Sequence, residues 1–345
     1  MKAFVTGATG FVGSAVARSL LRRGIEVRVL ARRGSNLTNL SGLDVEVAYG
    51  DLLDRESLTE VLRGCDTLFH VAALYSATDA DRERMYEVNV RGTKNILQAA
   101  QDSGVSRIVH TSTIGTIGQP QDGSLATEET PLLAWGTSRS PVVPRLRGED
   151  PQRGERRGDL SASHYAKSKY LAEVAALTAC ERGLPVVVVN PCAPVGARDI
   201  KPSSTGQRIV DYLRGRMPSF IEGGINFVAV DDVAEGHLLA AAKGRVGQRY
   251  ILGNREGNWM RTQFLAVMAR VSGQEAPRTA RRWGLRLDLR RVLGARPRQA
   301  PTQDLRPKAL TCDPSKAIHE LGLPQTPLEA AFAEAVQWFR ENGYV

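Results

Sequence analysis

The chain has 345 residues, of which 42% are hydrophobic and 24% charged, with a formal net charge of +9 at pH 7. That length and apolar content bury a full core with room for a smaller lobe, which excludes a disordered tail or a minimal scaffold. Arg, Asp or Gly interrupts every apolar run before the roughly 18 residues that a bilayer span requires, so a soluble, cytoplasmic protein is expected.

Taken in chain order, the first half alternates β-branched runs with amphipathic stretches, the pattern of βαβ units and a parallel sheet. Strands are predicted at Ala3–Thr6, Glu26–Leu30, Val45–Ala48, Thr67–Val71, Ile108–Thr111 and Val186–Asn190. Helices are predicted between them at Phe11–Arg23, Arg55–Arg63, Arg84–Ser103 and Ser163–Arg182. Right-handed crossovers then cover both sheet faces, giving a doubly wound α/β architecture.

The opening run has one lysine and a short apolar stretch, yet its glycines read as strand, turn and helix rather than as a secretion signal. In Thr6-Gly7-Ala8-Thr9-Gly10-Phe11-Val12-Gly13, Gly7 permits a tight turn, Gly10 lets backbone approach a pyrophosphate, and Gly13 lets helix pack on strand. The helix N-terminus behind them offers free N–H groups to phosphate. At the end of the second strand, where NAD-binding chains place an acid for the ribose hydroxyls, this chain has Ala31, Arg32 and Arg33. A guanidinium there suits the 2′-phosphate of NADP, so NADP is the expected cofactor, with NAD as the alternative.

Downstream, Trp135–Asp159 is rich in Arg, Pro and Gly without periodicity and reads as a surface loop. Tyr165 and Lys169 then sit four apart on a predicted helix, sharing a face. A nearby ammonium is expected to draw the phenol pKa toward working pH, so that Tyr165 trades a proton with a substrate oxygen. Ser112 or Thr113, past the fifth predicted strand, supplies a hydroxyl to orient that oxygen.

After Pro191 the chain turns rich in Gly and Pro, with helices predicted at Gln207–Arg214, Val233–Ala242 and Leu328–Asn342 and another allowed at Trp283–Leu293. Residues 1–190 are expected to form the nucleotide-binding domain, with 225–243 returning to it, and 191–345 mainly a substrate lobe. Asp231 and Asp232 are expected to cap their helix, and His70 and His110 to be packed or hydrogen-bonded.

Cys65, Cys180, Cys192 and Cys312 lie far apart without metal-ligand spacing, which predicts free thiols and no metal. The basic stretches at 139–157 and 278–308 come with no nucleic-acid motif, so solvated surface is expected and nucleic acid is not. Attraction to an anionic membrane or an acidic substrate is the functional alternative.

These motifs together resemble the extended short-chain dehydrogenase/reductases, the NAD-dependent epimerase/dehydratase family. The resemblance runs through Thr6–Gly13, Gly50–Leu52, His70–Ala73, Asn89–Thr93, Thr111–Gly118, Tyr165–Lys169, Asn190–Gly196 and Val230–His237. It implies a Rossmann fold, a small-molecule substrate and an enzyme that is able to dimerise. It also implies Thr113, Tyr165 and Lys169 as the catalytic set, and Asp51 and Leu52 beside the adenine. Ala72, Ala73, Thr111 and Pro191 would border the cofactor, Asn89 would support the backbone, and Lys169 would hold the nicotinamide ribose.

Within the family, Arg198–Pro202 and Val210–Pro218 look most like the hopanoid-associated sugar epimerases, alongside dihydroflavonol-reductase-like proteins. Departures fall on the substrate side: Ala229 stands where relatives often carry His, and the stretch after Ala276 lacks the expected apolar run. Ile114 and Gly115 follow Thr113 where dehydratases place an acidic pair, which argues against dehydration. An epimerase and a carbonyl reductase need the same residues, so both readings stand. A non-catalytic NADP sensor is the alternative of another class, and the retained tyrosine and lysine argue against it.

Overall fold

The computed structural model describes residues 1–76, 79–120, 122–132, 164–277 and 309–345. The surface loop expected at 135–159, the helix allowed at 283–293 and both basic stretches lie outside them.

Seven parallel strands form the large sheet: β1 (Lys2–Thr6), β2 (Glu26–Ala31), β3 (Glu46–Tyr49), β4 (Thr67–His70), β5 (Arg107–Thr111), β6 (Val186–Pro191) and β9 (Arg249–Leu252). Their order is β3-β2-β1-β4-β5-β6-β9, so the direction of winding reverses between β1 and β4. That reversal opens a crevice at the carboxyl ends of those two strands, where α/β sheets of this kind bind ligands. The inner strands are apolar on both faces because helices cover both, and every residue of β6, Val-Val-Val-Val-Asn-Pro, is buried.

The helices are α1 (Phe11–Arg22), α2 (Arg55–Leu62), α3 (Arg82–Tyr86), α4 (Gly92–Asp102), α5 (His164–Glu181), α6 (Ser204–Leu213), α7 (Val230–Lys243), α8 (Arg261–Ser272) and α9 (Leu328–Glu341). The helix expected over 84–103 is divided: a π turn at Glu87–Arg91 separates α3 from α4. Asn89 is the buried residue of this turn.

A second sheet of three strands runs β10 (Asn258–Trp259), β8 (Ile225–Ala229), β7 (Ala193–Val195). Its core is aromatic, built from Phe227 of β8, Phe264 of α8 and Phe332 and Phe339 of α9. β8, expected to return with its helix, pairs with β7 and β10, whereas α7 packs on α1 and β9 joins the large sheet. The doubly wound α/β sheet with a smaller C-terminal lobe is the observed architecture.

Candidate active site

β1 ends at Thr6, and the chain turns at Gly7 with φ of 74°, a conformation open to glycine. A Cβ at Gly7 would stand 2.7 Å from Ala72 N and Cα, so the turn is pressed against the segment after β4. Gly10 N donates to Gly7 O at 2.9 Å, and Gly10 is the N-cap of α1 with no side chain occupying the cap. A Cβ on Gly13 would collide with Gly7 O, which shows how closely α1 follows the strand. Thr9, Phe11 and Val12 are half-buried at the rim, while Gly10 is exposed. Backbone free of side chains at a helix N-terminus fits the pyrophosphate of a dinucleotide. Asn39, which the sequence reading missed, donates from Nδ2 to Thr9 O at 3.3 Å and Arg198 O at 3.2 Å, tying the turn to the lobe.

β2 continues to Ala31, and Arg32 and Arg33 follow it, both exposed. With Tyr49, Asp51 and Asp54 they line an open depression of about 530 Å³. Arg33 lies over the Tyr49 ring, 5.5 Å from its centroid, whereas Arg32 has no ion-pair partner among the described residues. Asp51 accepts from Leu53 N at 2.9 Å, and buried Leu52 packs where a Cβ on Gly92 would be 3.0 Å away. A larger groove of about 940 Å³ runs beside α1 past Arg18 and Asp231, and none of its lining belongs to the tyrosine cluster.

α5 carries Tyr165, Lys169 and Glu173 one turn apart. Lys169 is buried and donates from Nζ to Thr111 O at 2.7 Å. Thr111 turns its hydroxyl the other way, to His237 Nε2 at 2.8 Å on α7, so it meets the site through its carbonyl. Burial lowers the Lys169 ammonium to about 8, against an upward pull from the Glu173 carboxylate. Burial, and then the neighbouring Tyr75 hydroxyl, push Tyr165 up to about 12. The direction is therefore opposite to the downward shift expected for the phenol, because burial disfavours the phenolate.

Of the two candidate hydroxyls, Ser112 is buried beside Thr116 Oγ1 at 3.2 Å, while Thr113 is half-exposed. A Cβ on Gly115 would be 3.6 Å from Thr113 Cγ2 and 3.8 Å from Ala166 Cβ, so Thr113 is one small residue away from the helix of Tyr165. Pro191 closes β6, buried, with the lobe beginning beyond it.

Buried polar side chains brace these groups. Asn89 accepts from Leu74 N at 2.7 Å, donates to Leu74 O at 3.0 Å and donates to Ser168 Oγ at 2.9 Å. It thereby joins the segment beyond Ala72 and exposed Ala73 to the turn of α5 that follows Tyr165. His70 bridges Thr6 Oγ1 and Thr93 Oγ1 at 2.8 and 2.9 Å, while His110 packs 5.4 Å from its ring. Burial and the charge of Lys169 hold both imidazoles well below their usual range, so both are neutral. Glu173, another residue that pattern reading passed over, accepts from Thr116 Oγ1 at 2.8 Å and Asn190 Nδ2 at 2.9 Å and pairs with Arg249. Its only sequence signal is its place one turn beyond Lys169.

One expectation changes, and one pair of residues far apart in sequence is brought together. Asp231 and Asp232 do not cap α7: Asp231 pairs with Arg22, and buried Asp232 accepts from Thr326 N and Oγ1, both at 2.7 Å. Cys192 and Cys312, 120 positions apart, bring their sulfurs to 3.2 Å. Both remain free thiols.

A family model described as the NAD dependent epimerase/dehydratase family matches residues 3–253. The chain belongs to this family. It is an NAD(P)-dependent enzyme of the epimerase and oxidoreductase kind. Among members, it is 41% identical over 355 residues to a putative dihydroflavonol 4-reductase of Synechocystis sp., covering 99% of this chain and 95% of that one. It is 38% identical over 356 residues to sterol demethylase protein B of Methylococcus capsulatus, covering 100% of both. The crystal structure of gox2253 superposes with a TM-score of 0.81 at 36% identity, covering 99% of each chain. A nucleoside-diphosphate-sugar epimerase from Pseudomonas aeruginosa, PA4631, superposes at 0.75 with 25% identity, covering 100% of this chain and 99% of that one. No helix among the described residues is long and apolar enough to cross a membrane, and no group of His, Cys, Asp and Glu among them is arranged to hold a metal.

Proposed function

We propose that this enzyme is an NADPH-dependent carbonyl reductase in which Tyr165 delivers the proton. The observation that carries the reading is the convergence of Tyr165, the Lys169–Thr111 contact and Thr113 at the carboxyl end of the sheet that also bears the glycine turn. Relatives named as a putative dihydroflavonol 4-reductase, a ketoreductase and a cinnamoyl-CoA reductase, at 41%, 33% and 30% identity, support it.

 Arg32, with no ion-pair partner among the described residues, supports NADP over NAD.

A bound nicotinamide supplies the hydride. The chain's own residues do the rest. Gly7, Gly10 and Gly13 let backbone meet the pyrophosphate, and Arg32 takes the 2′-phosphate. The Thr113 hydroxyl orients the substrate oxygen, and Tyr165 gives it a proton. Reduction needs a protonated donor, and a phenol held at about 12 stays protonated throughout the working range. Lys169, fixed on Thr111 O, holds positive charge one helical turn away and favours the departing proton's negative partner.

A second reading, epimerisation of a sugar-like and hopanoid-linked substrate, draws on the full-length match to PA4631 and on the resemblance at Arg198–Pro202. It uses the same residues and returns the hydride to the substrate. The test is to supply NADPH with aldehydes and ketones and follow its absorbance. Stoichiometric consumption is expected for a reductase; retained cofactor with no net change, while a sugar is inverted, would replace this reading with the second.

A further inference from the structure

Three residues outside the family motifs form a chain of contacts that leads from Tyr165 into the lobe. Tyr75, in the segment after β4, sets its ring edge-on to Tyr165 with centroids 4.9 Å apart. Its hydroxyl shares a hydrogen bond of 2.7 Å with Ser204 Oγ, at the start of α6, so the two residues bridge the large sheet and the lobe. One turn along α6, Arg208 donates from Nη1 to Ser204 O at 2.8 Å and from Nε to Ser219 O at 2.9 Å. Its guanidinium carbon lies 5.9 Å from the centroid of the Phe220 ring.

Arg208 is half-buried, and no carboxylate among the described residues lies within ion-pair distance of it. Arg28 has Glu46 and Arg249 has Glu173, whereas Arg18 and Arg107, like Arg208, end on backbone carbonyls, of Asn39 and of Ala240 and Gly244; Arg208 differs from these two in its place, next to the residues that lead to Tyr165. Arg208 instead stands near the start of α6, where the helix dipole adds positive potential. Partial burial of a cation without an anion is unfavourable, and Nη2 donates to none of the described residues.

We propose that Arg208 receives an oxyanion, carboxylate or phosphate, carried by the substrate on the side away from its reacting carbonyl, with Tyr75 and Ser204 forming the near wall. The location beside Tyr165 rests on the reductase reading. Tyr75 covers Tyr165 while it holds Ser204, and an entering anionic substrate takes the place of that contact. Guanidinium pairing with an oxyanion is charge-assisted and directional, which makes Arg208 a determinant of specificity.

The test is calorimetric titration of the NADP⁺-loaded protein with three probes of one frame: 4-formylbenzoate, 4-formylphenyl phosphate and the neutral methyl 4-formylbenzoate. Wild type and Tyr165→Phe are expected to bind at least one anionic probe about tenfold more tightly than the ester. The better of the two anions identifies the source of the charge. Arg208→Gln is expected to bring that ratio to within about twofold, and Arg208→Lys to keep part of it. Equal binding of all three probes by wild type, or an unchanged ratio in Arg208→Gln, overturns the proposal. Absence of NADPH oxidation with every probe, while the Arg208-dependent preference persists, overturns the reductase reading and leaves the anion site standing.

Discussion

The ammonium of Lys169 donates to the carbonyl oxygen of Thr111 at 2.7 Å. This contact fixes a buried cation at the end of β5, one helical turn from Tyr165, and the positive charge it places there lasts only while the amine is protonated. Burial brings that protonation to about 8, and the Glu173 carboxylate works against the fall.

A pH dependence follows. Below about 8 the ammonium is formed, and above it the charge is lost, so kcat/KM is expected to decline about tenfold per unit on the alkaline side. Glu173→Gln removes the charge that favours the ammonium, and the alkaline limb should move to lower pH. A pH profile of both proteins decides it; a limb that stays in place would show that Lys169 does not govern the decline.

Cofactor choice is tested at Arg32. Its replacement by Ser removes one charge-assisted contact to a 2′-phosphate, which should weaken NADPH about 10- to 100-fold. NADH, which lacks that phosphate, should bind as before. Fluorescence titration with both nucleotides makes the comparison, and equal losses for the two would remove Arg32 from the 2′-phosphate site.

Gly13→Ala places a methyl group against Gly7 O, and neither α1 nor β1 has room to retreat. The expected cost is about 1–3 kcal/mol in stability, together with loss of nucleotide binding as the turn opens. Denaturant unfolding and cofactor titration read the two effects. Stability and affinity both equal to wild type would contradict the close approach.

Asn89→Ala leaves Leu74 N and O without their partner and frees Ser168 Oγ. About 1–3 kcal/mol of stability should be lost, because buried backbone groups go unpaired. Unfolding curves measure the loss, and an unchanged midpoint would mean that the segment after β4 is held by other contacts.

Much of the large sheet was readable from the sequence because its strands are dense in Val and Phe and lie between amphipathic helices, as β1, α1 and β2 do. The glycine turn was equally plain, since Gly7 and Gly13 are demanded by backbone contacts that leave no room for a side chain. The lobe was not. β8 is a five-residue run, Ile-Asn-Phe-Val-Ala, with no alternation because all of it is buried, and β10 has two residues. Pairings such as Asn89 with Leu74, or Asp232 with Thr326, join residues whose separation in sequence carries no period. Arg208 carries no signal of its own in the sequence, and only the packing around it reveals a cation with no carboxylate partner among the described residues. The direction of the Tyr165 shift was misjudged for a related reason: spacing predicts a neighbouring charge, but burial depends on the whole fold.

Tyr165 is the proposed proton donor, and the most direct measurement of that role is single-turnover oxidation of bound NADPH by an aldehyde in wild type and Tyr165→Phe. The phenylalanine variant keeps the ring and its contact with Tyr75, so NADPH affinity should remain within about twofold while the rate falls about 100-fold or more. Equal rates in the two proteins would contradict the proposed chemistry and leave only a nucleotide-binding fold.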